Sequence, residues 1–356
     1  MKGFGCTVPG KEVGWIEKAK PVAGPFDAVV RPLVIAPCSS DVHNAYEIGS
    51  TKFLQDRILG HESIAEIVEV GSEVKDYKVG DRIVVPAVTP NWRHPVIQDS
   101  VHQHTDMLMD SFKYAFSLDG VFAEYFLVPD VDMNAALLPE GMPLEKAIFA
   151  VDMMSTGFHG VELADVQFGE SVAVLGVGPV GLMAVAGCSL RGAGKIYVVD
   201  TNSKPARIEV AKAYGASEII DYMEGDTVAQ LRKLTNKKGV DKVIIAGGDS
   251  NSISNAIKMV RPGGIVSNIN FYTGVETLPI PLVAWGSGMG HKTIKGGLCP
   301  GGRRRMERML AVVSRDYMDL TKMVTHTFKG LEHVEDAFYL MANKPADLIK
   351  PLVFCD

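Results

Sequence analysis

The chain has 356 residues, of which 47% are hydrophobic and 22% charged, with a formal net charge of −6. That length fits two domains of about 100–200 residues each, and the composition is that of a soluble globular protein. The acidic balance argues against a nucleic-acid surface, and the first thirty residues lack the basic-then-apolar order of a secretory leader.

Taken in chain order, residues 28 to 36 and 63 to 70 are rich in Val, Ile and Ala and predict strands. Gly71, Gly80-Asp81 and Pro86 punctuate them as turns, so the first part of the chain reads as a compact β domain. Residues 88 to 120, with Pro90, Trp92 and Pro95, are irregular and are expected to line a cleft or a subunit contact. Pro139 and Pro143 then precede a helical stretch from Leu144 to Ala164 that begins the change of domain.

From Glu170 the rhythm changes. Strands are predicted at Ser171–Gly176, Lys195–Asp200, Glu218–Asp221, Asp241–Ala246 and Gly264–Asn268, with helices at Val180–Arg191 and Lys204–Tyr214. This alternation signals an α/β domain with a doubly wound parallel sheet. Ser171 to Leu190 carries no charged residue, which on length alone would permit a membrane span. Gly176, Gly178, Pro179, Gly181 and Gly187 interrupt it, however, and a strand, a glycine turn and a buried helix explain it better.

That turn, Gly176-Val177-Gly178-Pro179-Val180-Gly181, matches Gly-x-Gly-x-x-Gly. The first glycine allows the tight turn, the second lets backbone approach a pyrophosphate, and the third lets helix pack on strand. The helix from Pro179 offers free N–H groups and a positive dipole end to the phosphates. A lone motif of this kind is weak, and a glycine turn in another doubly wound sheet is the plain alternative. Here a strand precedes it, a helix follows, and the next strand ends in Asp200, 24 residues after Gly176, as a dinucleotide site requires. A carboxylate at Asp200 would bind a ribose diol and repel a 2′-phosphate, so NAD is expected over NADP. Lys204 and Arg207 could partly compensate by meeting a phosphate, but on a helix they are expected to face solvent.

Three scattered stretches carry metal-capable side chains. Cys38 lies in Ala36-Pro37-Cys38-Ser39-Ser40-Asp41-Val42-His43, His61 and Glu62 in Leu59-Gly60-His61-Glu62, and Asp152 opens Asp152-Met153-Met154-Ser155. Thiolate, imidazole and carboxylate are all zinc donors, and a catalytic zinc takes three protein ligands and keeps one open position. The remaining candidates have plainer readings. His102 and His104 share one side of an extended segment without a third ligand, His159 is read as core or hydrogen-bonded, and Arg303-Arg304-Arg305 with Arg308 as a solvated face or subunit contact.

Over essentially its whole length the chain resembles the zinc-dependent medium-chain alcohol dehydrogenases, closest to the secondary-alcohol (isopropanol) dehydrogenases of anaerobic microbes. The resemblance implies a GroES-like β-rich catalytic domain from residues 1–155 and 297–356 around a Rossmann domain at 156–296. It implies one catalytic zinc on Cys38, His61 and Asp152, with Glu62 either a fourth ligand or an outer hydrogen-bond acceptor. Ser40 would contact the alcohol oxygen, His43 would end a proton relay, and Asp41 would hold the other ring nitrogen of His61. Asn270, Phe271 and Lys344 would join the glycine loop and Asp200 in binding the cofactor. Phe112 and Phe271 fall where relatives carry pocket aromatics, a place that core packing would fill equally.

Two departures matter. Many family members bind a second, structural zinc through clustered cysteines, whereas no cysteine lies between Val85 and Leu127 here, and the five cysteines overall show no paired spacing. Several secondary-alcohol enzymes place Gly-Ser-Arg where this chain has Asp200-Thr201-Asn202, and those prefer NADP. The expectation is a cytoplasmic homotetramer interconverting small secondary alcohols and ketones with NAD. The alternatives are an NADP-dependent enzyme of the same chemistry, a polyol dehydrogenase, or a zinc-free NAD(P)-binding structural or sensor protein.

Overall fold

A computed structural model describes residues 1–47 and 55–355. The chain divides into two compact units, Met1–Ser155 with Pro300–Asp356, and Thr156–Cys299. In the first unit a seven-stranded sheet runs in the order Val324–Lys329, Lys350–Phe354, Ala28–Ile35, Ser63–Val70, Arg82–Val85 and Ala136–Leu137, with Phe126–Val128 added alongside Ala28–Ile35. All its pairings are antiparallel except that between Val324–Lys329 and Lys350–Phe354. Seven of the eight residues of Ala28–Ile35 are buried, which explains a near-continuous apolar run in place of alternation. Phe4, Ile35, Ile58, Phe122, Phe126 and Phe338 fill the core around it.

The register of this sheet brings distant stretches together. The pairing of Ala28–Ile35 with Ser63–Val70 shifts between Pro32 and Val34, as expected where a proline has no N–H to give the ladder. The pair then runs to Ile35 opposite Ser63, and Ala36 N–H donates to the Glu62 carbonyl at 3.1 Å. On the other side Val353 sits opposite Ile35. The loops carrying Cys38 and His61-Glu62 and the start of the Lys350–Phe354 strand therefore emerge at one place.

The expected helix from Leu144 to Ala164 is broken. Leu144–Ala147 is α-helical, Ile148–Ala150 is a tighter 3-10 turn, and a new helix runs Met153–Ala164. The apolar spacing is continuous, yet the chain turns at Val151-Asp152, so Asp152 sits in a bend between two helical pieces.

The second unit holds six parallel strands in the order Glu218–Asp221, Lys195–Asp200, Ser171–Leu175, Val240–Ile245, Val260–Asn268 and Thr293–Gly296. Numbered along the chain this is third, second, first, fourth, fifth, sixth, the doubly wound order whose reversal lies beside the first strand. Helices Pro179–Leu190, Pro205–Ala213, Thr227–Leu234 and Ser252–Met259 connect the strands. Ser171–Leu190 is a strand, a glycine turn and a helix buried from Gly181 to Cys188. No helix among the described residues is long and apolar enough to cross a membrane.

Candidate metal and nucleotide sites

Cys38 caps the helix Ser39–Tyr46. Asp41, in the first turn of that helix, accepts the Cys38 N–H through Oδ2 at 2.9 Å. Its other oxygen, Oδ1, lies 2.8 Å from His61 Nδ1. One carboxylate thus fixes both the cap that presents the thiol and the ring that presents the imidazole. With Nδ1 tied to a carboxylate, Nε2 is the nitrogen left for a metal, and its partner makes it a stronger donor. Phe112 packs edge-on against the His61 ring with centroids 5.0 Å apart, so this aromatic braces the imidazole.

Cys38, His61, Glu62 and Asp152 each offer a ligand atom, and the four atoms lie within 4.8 Å of one another. His61 Nε2 stands 3.4 Å from Asp152 Oδ2 and 3.7 Å from Glu62 Oε1. Tetrahedral donors bound at about 2.0–2.3 Å are separated by about 3.3–3.8 Å, so the cluster needs little adjustment to take zinc. Among the described residues, His61 Nε2 and Glu62 Oε2 are buried without a hydrogen-bond partner. Each buried polar atom left in that state costs about 1–3 kcal/mol. A cation bound by His61 Nε2 would remove its penalty, and the donor set of thiolate, imidazole and carboxylates fits zinc.

The charges agree. Burial alone would lower the His61 pKa, but Asp41, with Asp152 and Cys38, outweighs it and raises the pKa well above the usual imidazole range. Burial raises the Glu62 pKa, with the Lys350 ammonium pulling the other way. Lys350 is the residue that sequence reasoning missed. It is fully buried, and its Nζ donates to Glu62 Oε1 at 2.8 Å. Burial would lower its pKa, yet Glu62 and Cys38 hold it above the ordinary lysine value. The available signal was a lone cation between Ile349 and the apolar run Pro351-Leu352-Val353.

Ser40 Oγ lies 3.7 Å from Cys38 Sγ, beside the donor cluster. His43, one helical turn further, is partly exposed, and its Nδ1 lies 2.8 Å from Glu47 Oε2. Glu47 was not anticipated, although its i,i+4 spacing on a helix was readable. His104 Nδ1 accepts the Met109 N–H at 2.8 Å, His102 stacks on Trp92, and His159 lies 3.3 Å from Glu162. The arginine run is not one solvated face. Arg303 pairs with Asp76 and Glu307, and Arg304 pairs with Glu307. Arg305 is buried and donates to Ser155 Oγ at 3.0 Å and to the Ser155 carbonyl at 2.6 Å, which anchors the helix following Asp152.

In the second unit Gly176 adopts φ +81°, and a Cβ at Gly181 would stand 1.9 Å from the Gly176 carbonyl oxygen. Both positions are closed to a side chain. Gly178 differs: it caps the helix Pro179–Leu190, and a Cβ there meets no protein atom within 4 Å. The loop is therefore open at the point where pyrophosphate would approach, with Val177 and Val180 between the glycines. Asp200 closes its strand, accepting Val177 N–H through Oδ2 and Thr201 N–H through Oδ1, each at 2.8 Å. A carboxylate has about four lone-pair sites, so two remain for a ribose.

Around Asp200 the expectations need correction. Lys204 and Arg207 are half-buried, not solvent-facing. Burial lowers the Arg207 pKa and the Asp200 charge opposes that, which places a guanidinium in the field of the carboxylate. Asp221, in register with Asp200 on the neighbouring strand, accepts the N–H groups of Asn202 and Met223 at 2.8 Å. Asn270 and Phe271 follow the C-terminal end of Val260–Asn268, where the Asn270 carbonyl accepts from Asn268 Nδ2 and Phe271 is exposed. Lys344 belongs to the other unit and ends the helix Val334–Asn343 at φ +46°.

A β-rich domain presenting thiolate, imidazole and carboxylates, with a dinucleotide-type sheet in the same chain, defines a zinc-binding dehydrogenase. Residues 24–140 match the alcohol dehydrogenase GroES-like domain, and residues 179–315 match the zinc-binding dehydrogenase family. The chain belongs to the zinc-dependent medium-chain alcohol dehydrogenases. It is 54% identical over 353 residues, 99% of each chain, to the NADP-dependent isopropanol dehydrogenase of Thermoanaerobacter brockii, and 54% identical with the same coverage to that of Clostridium beijerinckii. The alcohol dehydrogenase TADH from Thermus sp. ATN1 shares its fold with a TM-score of 0.83 and 29% identity, each chain covered in full.

Proposed function

We propose that this enzyme interconverts small secondary alcohols and their ketones, of the 2-propanol and acetone type, using one zinc ion and a nicotinamide dinucleotide. The observation that carries the proposal is the compact set Cys38, His61, Glu62 and Asp152, in a chain 54% identical to proteins named isopropanol dehydrogenases. When bound, zinc supplies Lewis acidity that favours alkoxide over alcohol near neutral pH, and the dinucleotide supplies the hydride acceptor. Cys38 and Asp152 hold the ion, His61 adds a neutral donor oriented by Asp41, and Glu62 stands beside them. Ser40 orients the alcohol oxygen and passes its proton towards His43. The accessible imidazole of His43, steadied by Glu47, hands that proton to water.

The proposed cofactor is NAD, because the Asp200 carboxylate offers its free lone pairs to the ribose diol and repels a 2′-phosphate. A second reading has its own support. Both 54% identical relatives are named NADP-dependent, and Arg207 lies within the field of Asp200, where it could pair with a phosphate. The proposed assembly is a homotetramer, with Thr293–Gly296, an edge strand of the six-stranded sheet, as a pairing surface. Steady-state assays of 2-propanol and ethanol against NAD and NADP, with zinc quantified per chain, test the whole reading. The expected result is one zinc per chain, faster turnover of 2-propanol, and a higher kcat/KM with NAD. Full activity in a metal-free preparation would refute it, and a tenfold preference for NADP would replace Asp200 by Arg207 as the deciding residue.

A further inference from the structure

Three of the four donor residues are anionic as ligands, Cys38, Glu62 and Asp152, while His61 is neutral. Against a dication that set carries one negative charge too many. Lys350 supplies the balancing charge. It is buried without exposure in the same place, 288 residues from Glu62 in sequence, with Nζ 2.8 Å from Glu62 Oε1. A lysine is almost never fully buried unless paired, and burying its long stem freezes rotamers that a shorter residue would not have to lose. The pairing also divides Glu62 into two different oxygens. Oε1 is held by the ammonium, while Oε2 is buried without a partner among the described residues.

A catalytic zinc needs one position free of protein ligands. Lys350 is the one hydrogen-bond donor to the Glu62 carboxylate among the described residues, His61 Nε2 standing further off at 3.7 Å. Released from the ammonium, a carboxylate this close would bind the metal outright and close the open position to substrate. We propose that Lys350 is a positioning residue that holds Glu62 as a reversible ligand, keeping the fourth zinc position available to substrate. The inference rests on the zinc assignment proposed above.

The test uses the zinc holoenzyme and follows release of the metal to a chromophoric chelator. In Lys350→Met, loss of the repelling ammonium and capture of Glu62 act in the same direction, so zinc should leave about 10-fold more slowly, the lower end of the scale on which groups behind the ligands act. Turnover should fall. The visible spectrum of the cobalt-substituted variant should no longer respond to added imidazole, which competes for the open position. Lys350→Arg keeps the charge and the donor, and it should restore both the release rate and the imidazole response. Zinc leaving Lys350→Met as fast as wild type or faster would overturn the proposal, as would Lys350→Arg behaving like Lys350→Met.

If Lys350→Met does not fold, the neutral pair Glu62→Gln with Lys350→Met is compared with Glu62→Gln alone. Release rates within about twofold support action through Glu62, since coupled sites lose their separate effects when one is removed. A tenfold difference there would overturn it, placing the effect on the metal directly. Wild-type protein that binds no zinc would instead sink the zinc assignment itself, so the two failures are distinguishable.

Discussion

Gly178→Ala separates folding from ligand binding in the glycine loop. Gly178 has φ −65° and ψ −176°, a conformation that alanine adopts without strain, and its added Cβ meets nothing within 4 Å. In a compatible backbone the substitution reduces unfolded-chain entropy and stabilises by about 0.4–1 kcal/mol. The methyl would, however, occupy the space through which a pyrophosphate reaches the N–H groups at the start of Pro179–Leu190. Loss of one hydrogen bond to a charged group costs about 1.5–3 kcal/mol, which is about 10- to 150-fold in Kd. Calorimetric titration with NAD, NADH and NADP measures that loss, and thermal unfolding of the cofactor-free protein measures stability. Gly181→Ala is the contrasting control, because its Cβ would stand 1.9 Å from the Gly176 carbonyl oxygen, so it should lower Tm sharply. Unchanged dinucleotide affinity in Gly178→Ala would refute the assignment of this loop to the pyrophosphate. A drop in Tm matching that of Gly181→Ala would refute the argument from open space.

Three further outcomes follow from the geometry. Asp41→Ala removes acceptors from both His61 and the Cys38 N–H, so zinc affinity should fall about 10- to 100-fold, with Asp41→Asn milder; equal affinity in competition with a chelator would mean that Asp41 acts only as a helix cap. His43→Ala should slow alcohol oxidation about 10- to 100-fold, most strongly at lower pH where other bases are protonated, and a wild-type rate from pH 6 to 9 would remove His43 from the proton path. Asp200→Gly should shift the kcat/KM ratio towards NADP by about 10- to 150-fold, and an unchanged ratio would leave selectivity to Arg207.

The readable parts of this fold are those fixed by local chemistry. Strands such as Ser63–Val70 and Lys195–Asp200 declare themselves through runs of β-branched residues, and the glycine turn through its Gly-x-Gly-x-x-Gly spacing, with the positive φ falling at Gly176. Asp200 was legible as the end of its strand, which the run Ile196-Tyr197-Val198-Val199 marks. The break at Val151-Asp152 was not legible, because the apolar spacing runs straight through it. The new helix is anchored by Arg305 from a distant part of the chain, and a local pattern carries no trace of that contact. Arg207 was misread for a related reason: its helix position suggested solvent, while it lies half-buried in the field of Asp200. The donors Cys38, His61, Glu62 and Asp152 were found by resemblance, since nothing in their spacing brings them together. Lys350 had neither advantage.

The place of the Lys350–Phe354 strand within its sheet bears on how the molecule is made. It lies between Val324–Lys329 and Ala28–Ile35, not at an edge, so Val324–Lys329 cannot join the rest of the sheet until it arrives. During synthesis it leaves the ribosome 288 residues behind Glu62, after the whole of Thr156–Cys299 has emerged. Domains fold as units as they appear, so the nucleotide-type unit can be finished while the metal unit is still two unjoined pieces. Pairings of such sequence separation are slow to form. Lys350 therefore reaches Glu62 only after all four donors and the whole of Thr156–Cys299 have emerged, and the thiol of Cys38 stays without its finished surroundings for most of translation.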